Sequence, residues 1–150
     1  MGEPIVSFHV SGLPAPQGSK TYVGHGRMIE SSKRVKPWRS AVQVAARKAY
    51  KLEPIEDPAH VGVRFFFERP KSHYRTGKFS HLLKADAPPY PTSPQNGDLD
   101  KLLRSTFDAL SATTGGCIVS DDRLIVSSGQ VKLYASSSNP AGAKITVIRV

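Results

Sequence analysis

From Val61 to Phe67 every second residue is large and apolar: Val61, Val63, Phe65 and Phe67. A period of two places these four side chains on one face of a strand, and that face requires a sheet around it and an apolar layer over it. The rest of the chain offers both. Residues 5–10 alternate, with Val6, Phe8 and Val10 on one side. Residues 124–134 read as a long strand, bent or bulged near Ser127-Ser128-Gly129, and 144–150 as a last strand. Thr21–Val23 and Arg27–Glu30, joined by Gly24-His25-Gly26, suit a small hairpin. Two amphipathic helices supply the cover. The first spans 37–52, with Pro37 in its first turn and Trp38, Ala41, Val42, Ala45 and Ala49 at helical spacing. The second spans 98–112, with Leu99, Leu102, Leu103, Phe107 and Leu110 in one stripe, and Gly115-Gly116 ends it. The order is β, hairpin, α, β, α, β, β. It predicts an α+β fold in a single domain, 1–150, with one mixed sheet and two main helices packed on it.

Several classes of function are excluded early. No run approaches eighteen apolar residues, so no helix spans a membrane, and Met1-Gly2-Glu3-Pro4 does not begin a secretory signal. The lone Cys117 admits no internal disulfide and no cysteine-built zinc site, and it reads as structural. A reducing, cytoplasmic setting follows. His9 lies in the first strand, His25 and His60 read as turn residues, and His73 and His81 fall in a basic loop, without the spacing of a zinc site. A phosphate-binding glycine loop followed by Lys-Ser/Thr is absent, which leaves no nucleotide cofactor to expect.

Charge is more informative. Twenty-one Lys and Arg against twelve acids give +9, a balance that favours a polyanionic partner. The acids are unevenly placed. Residues 98–122 contain Asp98, Asp100, Asp108, Asp121 and Asp122 against only Lys101 and Arg104, a net −3 inside a remainder of +12. A basic surface that holds phosphates around carboxylates that hold a cation is the arrangement of a metal-dependent nuclease. A plain binding module gains nothing from aspartates that repel its ligand.

Taken singly, these residues have simpler readings. Asp98 suits a helix N-cap, Asp100 a favourable acid of the first turn, and Asp121-Asp122 a solvated turn. Asp100, Arg104 and Asp108 recur every four residues, so Arg104 suits either an ion pair with these acids or a phosphate contact. Asp108 reads as an ion-pair or structural residue. Taken together, the two aspartate pairs supply the oxygen ligands that Mg²⁺ prefers, provided the backbone is extended at Asp98 and the chain after the second helix returns tightly.

The run Asp98-Leu99-Asp100-Lys101-Leu102-Leu103-Arg104, continued by Phe107-Asp108-Ala109-Leu110 and Asp121-Asp122, resembles the RusA family of Holliday junction resolvases. Pro14-Ala15-Pro16-Gln17-Gly18-Ser19-Lys20, Lys36-Pro37-Trp38-Arg39 and Arg69-Pro70-Lys71-Ser72-His73 fit the same family in the same order. The resemblance implies a homodimeric, Mg²⁺-dependent endonuclease, with Mn²⁺ as a substitute, that cuts four-way DNA junctions in recombination and repair. Many relatives belong to phages or prophages. Asp98, Asp100 and Asp122 would then be the catalytic metal ligands with Asp121 adjacent, and Arg104 stands where the family has a catalytic lysine. Asn96-Gly97 replaces the commoner lysine-proline before the first aspartate, which points to a looser lead-in. The expected DNA contacts are Lys20, Lys33, Arg34, Lys36 and Arg39 around the first helix, and Lys101 in the second. The irregular stretch 69–97, expected to be mobile without DNA, adds Arg69, Lys71, His73, Arg75 and Lys78.

Overall fold

The structure, a computed structural model, describes residues 2–18, 20–24, 27–30 and 33–150, and leaves the side chains of 20–30 undescribed. Strand β1 (Pro4–Ser11) is followed by the hairpin strands β2 (Lys20–Gly24) and β3 (Arg27–Glu30), then helix α1 (Val35–Ala49) and strand β4 (Ala59–Phe67). Helix α2 (Leu99–Leu110) and strands β5 (Ile125–Tyr134) and β6 (Gly142–Arg149) complete the chain. One four-stranded sheet has the order β1-β6-β4-β5, and β2 pairs with β3 separately. β6 runs antiparallel to both β1 and β4, whereas β4 and β5 are parallel. This is the α+β class expected, with a mixed sheet. The parallel pair is the part that alternation alone does not specify. It arises because α2 lies between β4 and β5 in the chain, and a crossover returns the strand in the same direction.

The strands bury one face. Val61, Val63, Phe65 and Phe67 are within 1% of full burial, beside Val6, Phe8 and Val10 of β1 and Ala143, Ile145 and Val147 of β6. The two helices pack on this face and on each other. In α1 the buried residues are Val35, Trp38, Val42 and Ala46, so the stripe turns toward Ala46, while Ala45 is half-buried and Ala49 exposed. The helix also begins two residues earlier than its proline suggests. Pro37 sits in the first turn, where its missing N–H has no intrahelical partner to lose.

Helix α2 buries Leu102, Ser105, Thr106, Ala109 and Leu110, leaving Leu99, Leu103 and Phe107 at the margin. Two polar residues therefore face the core, and both are satisfied. The Trp38 indole donates to Thr106 Oγ1 at 3.1 Å, and that hydroxyl donates to the Leu102 carbonyl at 2.9 Å. Ser105 Oγ donates to the Ala15 carbonyl at 2.6 Å, which fastens the β1–β2 loop to the helix. The helix ends at Leu110, before the double glycine. Ser111 caps it, a short 3₁₀ turn follows, and Gly116 N–H donates to Ser111 O at 2.7 Å. A side chain at Gly116 would meet Ala109 O at 2.3 Å, which is why the chain can double back there.

The irregularity expected in β5 falls at Val126, next to Ser127 and opposite the Ala59–His60 step of β4. Two corrections concern local structure. His60 belongs to β4 and bonds Ser127 Oγ, so it is not a turn residue. The stretch 69–97 contains three 3₁₀ turns, a Tyr74–Leu83 bridge, and backbone bonds from Arg75 N to Leu82 O and from Lys84 N to His73 O. It is an irregular but internally bonded segment. The Gly24-His25-Gly26 link of the hairpin lies mostly outside the described residues.

Candidate active site

The aspartates fall into two groups, one at each end of helix α2. At its start, Asp98 is the N-cap residue with extended backbone (φ −79°, ψ 142°), and its carboxylate makes no capping hydrogen bond. The carboxylate is thus exposed and unused by the helix. Asp100, in the first turn, pairs with Lys101 at 3.1 Å, and the hydrogen bond from Lys101 holds its carboxyl below the usual range.

At the other end of the helix a second group assembles. The chain returning from α2 lays Ile118 N and Val119 N on the Leu110 carbonyl, and Ser120 N donates to Ile55 O. Asp121 then caps a 3₁₀ turn, accepting from Arg123 N at 3.0 Å, and Asp122 follows it. This tight return places Asp122 against Asp108. Burial pushes the Asp122 carboxyl above its usual range, and the charges of Asp108 and Asp121 push it further.

The sequence expectation joined Asp98, Asp100 and Asp122 into one set. The charged neighbours that act on Asp122 are Asp108 and Asp121, and Asp108 lies two helical turns, about 12 Å of rise, beyond Asp100. Among the described residues no three His, Cys, Asp or Glu side chains form a ready metal-binding group. Of the two roles expected for Asp108, ion pair or structural, the first is absent: no ion pair joins it to Arg104. Instead Gln17 Nε2, from the β1–β2 loop, donates to Asp108 Oδ2 at 2.6 Å. The oxygen of the same amide, Gln17 Oε1, is buried without a hydrogen-bond partner among the described residues. Sequence reasoning missed this pairing, because the i, i+4 arginine offered Asp108 a sufficient local partner and a loop glutamine carries no periodic signal.

Crowded carboxylates beside an orphaned amide oxygen are an all-oxygen donor set, in which Asp121 is paired with Arg123 at 3.7 Å while no ion pair among the described residues reaches Asp108 or Asp122. Such a set fits Mg²⁺, which keeps several waters and takes one or two carboxylates plus phosphate instead of a complete protein cage. Arg104 is exposed on the same helix, one turn from Asp100 and one from Asp108.

The basic residues divide into three sorts. Lys33, Lys36 and Arg39 line a cleft of about 640 Å³ beside α1, which Thr114 also lines. The Thr114 hydroxyl donates to the Asp108 carbonyl, so the cleft adjoins the acidic end of α2. Arg34 reaches from the α1 N-terminus to the Gln95 carbonyl at 2.9 Å, and Lys71, Arg75 and Lys78 are exposed on the long segment. Arg69 and His73 are engaged with the protein. The Arg69 guanidinium donates to Pro88 O at 2.8 Å, meets His73 Nδ1 at 3.2 Å and lies 4.0 Å from the Tyr134 ring, with His73 edge-on to the same ring. These contacts clamp the segment to the sheet. The side chain of Lys20 is outside the description.

The lead-in to Asp98 is also tighter than Asn96-Gly97 suggests. Gly97 adopts φ +82°, a conformation closed to proline, and a side chain there would meet Pro16 Cγ at 2.6 Å. Lys132 Nζ donates to the Gly97 carbonyl at 2.8 Å.

The family described as Endodeoxyribonuclease RusA matches residues 11–148. This chain belongs to the RusA endodeoxyribonuclease family. No curated protein matches it. The RusA match begins at the last residue of β1 and ends within β6, so it takes in both helices and every aspartate of the two groups. Membership makes the protein a nuclease of the Holliday junction resolvase type. Among the described residues no helix is long and apolar enough to cross a membrane.

Proposed function

We propose that this chain is a Mg²⁺-dependent, homodimeric endonuclease that resolves four-way DNA junctions in the cytoplasm by paired phosphodiester hydrolysis, with Mn²⁺ able to replace Mg²⁺. The observation that carries the reading is the crowding of Asp122 by Asp108 and Asp121, within a chain of the RusA family that is strongly basic elsewhere. Like charges held together against repulsion cost stability, so their persistence calls for a cation ligand.

In this mechanism Asp98 and Asp100 at the start of α2 and Asp122 at its other end would hold one or two Mg²⁺ ions, with Asp121 beside Asp122 and Asp108 pressing on it. Mg²⁺, when bound, would polarise a phosphate oxygen and activate a water. Gln17 holds Asp108 in its orientation through the 2.6 Å bond. Arg104 offsets charge that grows on the phosphate oxygens, and Lys101 stands near it on an adjoining face of the helix. Lys33, Lys36 and Arg39 hold the flanking backbone in their cleft beside α1.

The deciding experiment compares cleavage of a synthetic four-way junction, a fork and a linear duplex, each with and without Mg²⁺. Paired, symmetric incisions of the junction that require Mg²⁺ are expected. Equal or faster cutting of the fork would assign another branched substrate, and binding without any cutting would reduce the protein to a nucleic-acid-binding module.

A further inference from the structure

Lys132 is absent from every group of cations that the sequence singles out. In the parallel register of β4 and β5 it pairs with Phe65, as Tyr134 pairs with Phe67, so it lies on the sheet face that the helices cover. A lysine there runs its stem along apolar surface and presents the ammonium at the margin. The ammonium reaches the Gly97 carbonyl at 2.8 Å, one residue before Asp98. The Pro16 ring lies close against Gly97, so the peptide that leads into Asp98 touches both the sheet and the β1–β2 loop.

A neutral donor would suffice to hold a carbonyl. A full positive charge has the wrong sign for the N-terminal end of a helix, and no carboxylate among the described residues forms an ion pair with Lys132. The ammonium retains two further protons to donate. We propose that Lys132 is a phosphate-contacting cation of the active site: one N–H holds the lead-in to Asp98, and the others meet a DNA phosphate. The identity of the ligand rests on the nuclease reading above.

Three variants separate charge from tether. Lys132→Arg keeps both, Lys132→Gln keeps a donor without the charge, and Lys132→Met keeps only the stem. Binding of a synthetic four-way junction in Ca²⁺ is measured across a salt series, beside single-turnover cleavage in Mg²⁺ and thermal melting. In Lys132→Gln the slope of log affinity against log salt should shrink by about 0.9, the contribution of one phosphate contact, while Lys132→Arg keeps the parental slope. Cleavage at saturating DNA should fall about tenfold or more in Lys132→Gln, with the melting temperature little changed. A parental slope in Lys132→Gln overturns the proposal and leaves Lys132 a tether alone. Should Lys132→Met fail to fold, the Gln and Arg pair still decides. Should the parental protein cut no DNA, the nuclease reading falls, and the salt slope still decides the phosphate contact.

Discussion

Asp122 is the residue at which structure and chemistry pull hardest against each other. Its carboxyl is raised first by burial and then by Asp108 and Asp121, so its ionised form is disfavoured in the fold. A raised acid contributes stability below its ordinary range and loses it as pH rises through the folded value. Asp122→Asn should therefore melt at pH 7 no lower than the parent, and about 1–3 °C higher is expected, while cleavage falls by orders of magnitude. A variant that is both unstable and inactive would refute the separation of roles. The same electrostatics assigns Asp108 a measurable part. Asp108→Asn removes one repelling charge, so Asp122 ionises more readily and the acid limb of the pH–rate profile should move to lower pH; an unmoved limb would mean that Asp108 does not act on Asp122 in solution. On the same helix, Arg104→Ala should slow cleavage strongly and Arg104→Lys should retain much of it, because the contact is electrostatic and the family places lysine there. A parental single-turnover rate in Arg104→Ala would remove Arg104 from the mechanism.

The elements differ in how openly the sequence announces them. β4 and α2 are legible from periods of two and 3.6, because each buries one regular face. The parallel register of β4 and β5 is not, since pairing across a crossover depends on contacts distant in the chain. Nor is the burial of Ser105 and Thr106, because polar residues read as exposed until their partners are known. Those partners, Ala15 O for one and the Trp38 indole for the other, come from a loop and a helix at least 68 residues away. The aspartates themselves were plain in the sequence, yet their grouping was not: Asp122 joins Asp108 through the Gly116 return, a turn whose closeness no spacing reveals. Two tests belong at this scale. Thr106→Val keeps the shape but strips the indole N–H of its buried acceptor, which should cost about 1–3 kcal/mol in urea unfolding; an unchanged midpoint would show that the bond contributes nothing. Gly97→Ala places a side chain against Pro16 at φ +82°. It should cost about 1–3 kcal/mol and also slow cleavage, since Asp98 moves with its neighbour. Normal stability would mean that the lead-in is as loose as its sequence suggests.

At the scale of the whole molecule, two charge systems of opposite sign share one sheet-and-helix frame. The surplus of +12 outside residues 98–122 attracts a polyanion, and the −3 within that window repels it until a cation intervenes. Both follow from one chain, but a four-way junction has near two-fold symmetry and needs two matched incisions. A single chain with one α2 has one such window, so a C2 pair of chains is the simplest way to present two sites with the symmetry of the substrate. The frame leaves surface for such a pair. β1 and β5 are the sheet's two edges, and Val126, at the irregular point of β5, is 59% exposed. A homodimer should sediment at twice the 16.3 kDa of the chain at micromolar concentration, and its two nicks should appear at symmetric positions on opposing strands. Mixing parental chains with Asp100→Asn chains then tests the coupling directly. Heterodimers should nick one strand and release few resolved products, whereas a 16.3 kDa species that still makes paired cuts would rule out the dimer as the unit of resolution.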